Sequence, residues 1–362
     1  MDSNKIQSFQ PGDEEEIVRV FEAAFGEVDY YFPRSVSSWV WRYTRRPGFD
    51  PNSVLMIRKK GTVVATLSMT YGTMVVNNEP KKVALIDDVA SRPQWRKQGL
   101  ATALMTHAIA RAEEVGCWGV HLSADPEGAA IRIYKNIGFE TITHCINMLS
   151  VLKHRRAARF GKSRQAAPIL ALSLLDSFRN KRIDKELCRI EVVEDGTATE
   201  IVQRAQIDVA LQNGTLLFDD EYIKWMTDSR RDGVLKVISI TKDTNFSGML
   251  TVSSSDFSGP GAKDRMAVIG NLILGEAVRT RDTIASVLYG AKEIAKDILD
   301  CPMANMFVDS RAATLRSACK KVGFMEVGQS ASMFHPLNQP QRMTEIRRGI
   351  WSQPVETVTS NP

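Results

Sequence analysis

Residues 83–110 read VALIDDVASRPQWRKQGLATALMTHAIA. The apolar run Val83-Ala84-Leu85-Ile86, interrupted by Asp87-Asp88 and resumed by Val89-Ala90, predicts a strand. Arg92-Pro93 predicts a turn, because proline fixes φ and donates no ladder hydrogen bond. A cationic loop, Arg96-Lys97-Gln98-Gly99, follows. Leu100, Leu104, Ala108 and Ala112 then recur at helical spacing and mark a buried helix face. A strand, a basic glycine-containing turn and a helix N-terminus together suit an anion. The first-turn N–H groups lack intrahelical partners, and the helix dipole is positive there. Gly99 is expected to let the backbone approach a ligand where a Cβ would obstruct it.

The surrounding chain, 362 residues in all, is long enough for two domains. Its 43% apolar and 25% charged content is that of a globular protein with a sizeable core. No run approaches the roughly 20 apolar residues of a membrane span, and no membrane partner is expected. The longest candidate, Pro168-Ile-Leu-Ala-Leu-Ser-Leu-Leu175, is far shorter. The start, Met1-Asp-Ser-Asn-Lys5, lacks the basic and apolar regions of a secretory signal. Cys117, Cys145, Cys188, Cys301 and Cys319 are scattered and form no CxxC pair. That argues against a disulfide framework and against a metal site, and for a reducing cytoplasm. The net charge of +5 is local: between Lys153 and Lys185 ten Lys and Arg accompany two Asp, leaving about −3 for the remainder. Such concentration speaks against general nucleic-acid binding and for a solvated connecting helix.

From the N-terminus, Lys5-Ile-Gln-Ser-Phe9 predicts a first strand. Asp13, followed by Glu14, Glu15 and Glu16, predicts a helix start. Its apolar face is Ile17, Val20, Phe21 and Ala24, and Gly26 ends it. An aromatic stretch, Tyr30, Tyr31, Phe32, Trp39, Trp41 and Tyr43, is closed by Arg45-Arg46-Pro47. It is a candidate lining for a substrate pocket, with one of the two tryptophans expected in the core. Residues 53–59 and 62–71 predict a hairpin around Lys60-Gly61. Beyond the opening stretch come a strand at 116–123, a helix at 129–136 ending at Gly138, and a strand at 139–151.

Arg96-x-x-Gly99-x-Ala101 resembles the pyrophosphate-binding signature R/Q-x-x-G-x-G/A of the GNAT acyl-CoA N-acyltransferase superfamily. Tyr134-Lys-Asn-Ile-Gly138-Phe139 resembles the Y-x-x-x-G-F ending of the same superfamily, in the expected order and on the expected elements. The resemblance implies an α/β (α+β) fold with a mixed, mostly antiparallel central sheet flanked by helices. It also implies direct transfer of an acyl group, usually acetyl, from acetyl-CoA to an amine within a ternary complex, without a metal. By that resemblance the phosphates lie at the N–H groups of Lys97, Gln98, Gly99, Leu100, Ala101 and Thr102, helped by the Arg96 and Lys97 side chains. The thioester carbonyl takes a backbone N–H among Val89, Ala90 and Ser91, and Tyr134 serves the leaving thiolate as general acid.

The amine must be neutral to attack, so something must accept its proton. Asp87 and Asp88 are the candidates; on a regular strand they point to opposite faces, and only one reaches the acceptor. Alternatively the pair binds the amine's cation, or holds Arg92 or Arg96 at the strand end. His121 and Glu127 are weaker candidates, and Glu127 stands where the superfamily often carries asparagine. His107, on a helix, reads as a surface or core residue.

The chain then repeats itself in order and spacing. Arg189-Ile-Glu-Val-Val193 matches the first strand. Tyr222-Ile-Lys-Trp225 with Arg230-Arg231 matches Trp39-Val-Trp41 with Arg45-Arg46. Residues 234–241 and 246–253 match the hairpin, and Arg316-Ser-Ala-Cys-Lys-Lys-Val-Gly323-Phe324 matches the second motif. Two tandem GNAT-like domains are expected: 1–152 catalytic, 153–187 a basic helical linker, 188–337 a degenerate copy and 338–362 a tail. Counting without gaps puts Asp282 opposite Gly99 and Cys319 opposite Tyr134, so the second copy is expected to be silent, serving structure or the substrate cleft. An acyl-CoA-binding sensor or scaffold is the alternative reading, and homo-oligomerisation is left open.

Overall fold

Asn77 and Asn78 adopt φ of 52° and 63°, the left-handed pair that lets a two-residue turn follow the twist of its strands. They join β3 (Thr62–Val76) to β4 (Glu79–Ser91), the longest hairpin of the first half. A computed structural model describes residues 5–26, 30–160, 183–208, 211, 213–227, 235–259 and 262–337. The other first-half elements are β1 (Ile6–Ser8), α1 (Glu14–Phe25), α2 (Val36–Arg42), β2 (Val54–Lys59), α3 (Leu100–Glu114), β5 (Gly119–Ala124), α4 (Ala129–Asn136) and β6 (Glu140–Val151). After a short helical turn, α5 (His154–Ala157), come β7 (Arg189–Val192), α6 (Ala198–Asp208), β8 (Leu216–Leu217) and α7 (Asp220–Thr227). The second half ends with β9 (Leu235–Lys242), β10 (Asn245–Gly259), β11 (Ala262–Leu274), α8 (Arg281–Glu293), β12 (Met303–Asp309), α9 (Ala313–Lys321) and β13 (Met325–Pro336).

Among the described residues the chain forms two compact units, one of 5–144 with 330–337 and one of 145–329. In the first, β1, β2, β3 and β4 pair antiparallel in sequence order, and β4 pairs β5 in parallel. Residues 331–336 then close this sheet against β5. In the second, β7, β9, β10 and β11 pair antiparallel, and β11 pairs β12 in parallel. Residues 145–151 of β6 close that sheet. Each sheet is thus completed by the final strand of the other sequence copy, and unit membership departs from sequence order at those two strands. Both sheets are mixed and mostly antiparallel, with helices against them, as expected.

One face of the first sheet packs α3 and α4 through Leu67, Met69, Ala84, Ile86, Leu104 and Val120. The other face packs α1 and α2 through Ile17, Val20, Trp39, Tyr43, Val54 and Met56. Trp39 is the core tryptophan, 1% exposed, and Trp41 is only partly buried. The expected α3 face, Leu100, Leu104, Ala108 and Ala112, is buried throughout. Gly26 caps α1 as expected, whereas Asp13 makes no side-chain cap to its helix; its carboxylate accepts instead from the Gln10 N–H and pairs with Arg58.

The start of the basic segment belongs to the second unit. Leu152 and Lys153 N–H groups donate to Pro302 O at 2.8 and 3.0 Å. Arg156 bridges Asp264 and Asp300, and Lys153 also pairs with Asp300. These cations are neutralised within the fold. Residues 161–182, the tail from 338 onward and Arg230-Arg231 lie outside the described residues. No described helix is long and apolar enough to cross a membrane.

Candidate active site

The site grows from a defect in β4. Ser68 pairs with Asp87 but Thr66 pairs with Ala90, so β4 carries one extra residue there. Asp88 absorbs it with φ of 49°, a left-handed conformation that Asp and Asn tolerate better than other side-chain-bearing residues. The consequence corrects the regular-strand expectation. The bulge turns both carboxylates to the α1–α2 face, where Asp87 meets Arg42 at 2.8 Å and Asp88 meets Arg34 at 3.1 Å. The partners are therefore Arg34 and Arg42, not Arg92 or Arg96. Arg92 instead donates to Val63 O, and Arg96 donates to Ala24 O in the last turn of α1.

The bulge also ends the parallel pairing. β4 and β5 are in register only from Val83↔Gly119 to Leu85↔His121, and beyond that the strands diverge. The Arg92 N–H donates to Val64 O at 2.9 Å. Strand alternation therefore directs the neighbouring Ser91 N–H to the opposite edge of β4, toward the divergence. Val89 and Ala90 lie between this donor and the bulge, with Ala90 packed in the α1–α2 core.

The loop after β4 supplies a second set of donors. Lys97 and Gly99 take φ of 62° and 74° on either side of Gln98, and all three are exposed. Gly99 is the N-cap of α3, without a side-chain cap. Ala103 N–H is the first to bond within the helix, to Gly99 O at 3.0 Å. The N–H groups of Leu100, Ala101 and Thr102 thus have no intrahelical acceptor. A Cβ on Gly99 would meet no protein atom within 4 Å. The glycine is favoured by its positive φ, and the space beside it is open.

The second copy is an internal comparison. It keeps the bulge: register shifts between Met249 and Thr251, and Asn271 takes φ of 45°. It changes the loop. The N-cap of α8 is Thr280, so the helix begins two residues sooner after the bulge than α3 does, and the ungapped match of Gly99 to Asp282 is shifted accordingly. Thr280 accepts the Thr283 N–H on its side chain at 3.3 Å. Asp282 places a carboxylate in the first turn, paired with Arg281 and Lys321 at 3.0 Å each. This helix carries its own anion; α3 does not.

The second motif is a helix stop. Phe139 N–H bonds Tyr134 O at 3.0 Å and Gly138 N–H bonds Lys135 O at 3.1 Å, the paired bonds of a Schellman ending with Gly138 at φ 94°. The contact that accompanies such an ending is Phe139 against Tyr134, ring centroids 6.1 Å apart. Phe324 to Cys319 and Gly323 to Lys320 repeat the bonds at 3.0 and 3.2 Å, so Cys319 truly occupies the place of Tyr134. Tyr134 is 7% exposed. Burial pushes its phenol up to about 12, and its hydroxyl has no protein hydrogen bond among the described residues.

The remaining candidates separate cleanly. His121 is fully enclosed, its Nε2 2.8 Å from Ser332 Oγ, and burial lowers its pKa to about 4, which keeps the ring neutral at pH 7. Glu127 and His107 are exposed. Burial alone would raise the pKa of Asp88. The charges of Arg34 and Arg42, with hydrogen bonds from Arg34 and Tyr43, outweigh it and hold the carboxyl below 3.8. A carboxylate so stabilised is a weak base. Sequence reasoning passed over Arg34 and Arg42; their one signal was two arginines flanking a Ser35-x-x-Ser38 capping box.

The lowered pKa has a consequence for stability. Between 3.8 and the folded value the unfolded chain binds more protons, so stability rises with pH. The contribution of Asp88 is complete above about pH 5 and is lost as pH falls through 3.8 toward the folded value. Asp88→Asn is expected to melt lower than wild type at pH 6, with the gap narrowing by pH 3 in circular-dichroism melts. A gap constant across that range would show that Asp88 is not the linked group.

The family model for the acetyltransferase (GNAT) domain matches residues 5–142. Residues 5–142 are a GNAT domain. No curated protein sequence matches the chain. Among solved structures, Saccharomyces cerevisiae N-myristoyltransferase with bound myristoyl-CoA and inhibitors aligns with a TM-score of 0.68 at 11% identity. That alignment covers 93% of this chain and 80% of that one. A GCN5-related N-acetyltransferase from Anabaena variabilis aligns with a TM-score of 0.60 at 12% identity, covering 92% and 73%. At these identities the likeness is one of fold. The GNAT domain contains the bulge, the open α3 N-terminus and Tyr134 together.

Proposed function

We propose that the protein is an acyl-CoA-dependent N-acyltransferase, with acetyl-CoA as donor and a primary amine as acceptor. The observation that carries this reading is the contrast between the two copies: the α3 N-terminus is open and exposed, and the α8 N-terminus holds its own carboxylate. The donor pyrophosphate is assigned to the N–H groups from Lys97 to Thr102, with Lys97 as a nearby cation. The thioester carbonyl is assigned to the backbone donors of 89–91, Ser91 foremost. The amine nitrogen attacks that carbonyl carbon, the C–N bond forms, and the C–S bond breaks. The nitrogen's proton leaves to solvent, since Asp87 and Asp88 are held in ion pairs. Tyr134 donates a hydrogen bond to the departing sulfur. Residues 1–152 supply this chemistry, and the second copy is structural.

A longer acyl donor is a second reading, favoured by the alignment of nearly the whole chain to a structure that holds myristoyl-CoA. The test is release of free thiol from acetyl-CoA and, in parallel, myristoyl-CoA, against spermidine, lysine, kanamycin and a short peptide with a free N-terminus. Amine-dependent thiol release is expected with at least one acceptor. A chain that binds donor without any release would be a sensor or scaffold instead.

A further inference from the structure

Asp88 is the charged group at the bulge that the transfer reaction leaves without a task. Its carboxylate takes both forks of Arg34, Nη2 to Oδ1 at 3.1 Å and Nε to Oδ2 at 3.3 Å, and the Tyr43 hydroxyl at 2.9 Å. Arg34 is anchored in turn. Its backbone N–H donates to Glu22 of α1 at 2.7 Å, its Nη1 donates to Phe32 O at 3.2 Å, and its guanidinium lies over the Phe21 ring. The Tyr31 hydroxyl shares Glu22 at 2.9 Å. The end of α1, residues 31–34 and the C-cap of α2 therefore converge on one carboxylate of β4.

We propose that Asp88 is a positioning residue, a latch that fixes the 31–43 segment against the strand that receives the thioester. The proposal rests on the transferase reading above, which places the reacting carbonyl at 89–91. Two observations carry it. First, a bidentate arginine pair with a third donor has a single geometry, unlike a lone lysine contact. With the Arg34 side chain 6% exposed and that of Asp88 2%, neither charge can relax into water. Second, the second copy shows what the bulge needs by itself. Asn271 holds the same left-handed conformation without a charge, its Nδ2 3.3 Å from Thr251 Oγ1. The bulge requires a residue that tolerates positive φ, and asparagine suffices. The negative charge at Asp88 therefore serves Arg34 and not the backbone. Asp87, paired with Arg42 at the end of α2 at 2.8 Å, reinforces the latch one residue away.

Because asparagine preserves the bulge, Asp88→Asn removes the latch while leaving the donor-binding backbone in place. Hydrogen–deuterium exchange of the full chain should then rise at least tenfold for amides 34–43, with the amides of β2 and β3 unchanged. Acetyl-CoA affinity should stay within twofold. Arg34→Gln should produce the same local pattern, and the double variant should exchange no faster than either single one. With whichever of the four acceptors the wild type uses, the acceptor KM should rise severalfold with kcat within twofold, and the pH profile should keep its limbs. Protection retained at 34–43, a uniform rise across the sheet, or additive effects in the double variant would overturn the latch. So would a kcat collapse of a hundredfold at unchanged KM, which would return Asp88 to proton transfer. A wild type that fails to bind acetyl-CoA would instead overturn the transferase reading, and the exchange measurements would still decide the latch.

Discussion

Gly99→Asp is expected to abolish the thermal stabilisation that acetyl-CoA gives the wild type, and Gly99→Asn to retain most of it. At a hundred times its dissociation constant a ligand stabilises the fold by about 2.7 kcal/mol, roughly 5–10 °C for a domain of this size. For a carboxylate at the N-cap of α3, take a separation of about 4 Å from a pyrophosphate charge bound by that turn. At an effective dielectric of about 20 that repulsion is about 4 kcal/mol per charge pair, and screening in an exposed loop reduces it substantially. Even a hundredfold weakening would leave only about 0.4 kcal/mol of ligand stabilisation at the same concentration, near the limit of a melting assay. Asparagine has nearly the same shape and tolerates φ of 74° about as well, so the pair separates charge from backbone strain. Equal loss in both variants would mean that loop conformation, not charge, decides binding. A wild-type shift in Gly99→Asp would remove the pyrophosphate from this loop and with it the assigned function.

The parts of the molecule governed by local rules were legible in the sequence. Helix α4 was legible over 129–136 with Gly138 as its stop, and the buried face of α3 followed from Leu100, Leu104, Ala108 and Ala112. Each of those signals lies within a few residues of the element it specifies. The bulge was not legible, because Asp-Asp in an apolar run fits a regular strand equally well. Only the pairing of β4 with β3 shows the extra residue. Misreading it sent Asp87 and Asp88 to opposite faces and hid Arg34 and Arg42, whose partners lie 54 and 45 residues away. The origin of the closing strands was hidden for a related reason: residues 145–151 and 331–336 have suitable strand patterns, but a pattern does not name its neighbour. The loop of the second copy was legible only in the wrong register, since its helix is capped by Thr280, two residues sooner than a count from the first copy gives.

Tyr134→Phe is expected to lower turnover by about a hundredfold while leaving acetyl-CoA affinity within about twofold, in the range found for losing one well-placed donor. The raised phenol bears on which form the proposed role takes. A group pushed up to about 12 stays protonated through any assay near neutrality, whereas a thiol leaving group has a pKa of about 8.5. Full proton transfer from Tyr134 to the thiolate would thus run uphill by about 3.5 pKa units, or about 5 kcal/mol. A hydrogen bond to the sulfur as charge develops carries no such penalty. Under the proposed mechanism Tyr134 is therefore assigned the part of a hydrogen-bond donor to the departing thiolate, with solvent supplying the proton that finally neutralises it. The rate should consequently show no alkaline limb from this phenol below about pH 10, in either kcat or kcat/KM. Phenylalanine preserves the packing on Phe139 and the helix stop, so the melting temperature should change little and the kinetic loss can be read as loss of the donor. Unchanged turnover in Tyr134→Phe would end the assignment. An alkaline limb near pH 8–9 that vanishes in the variant would show instead that the phenol ionises far more readily than its burial allows.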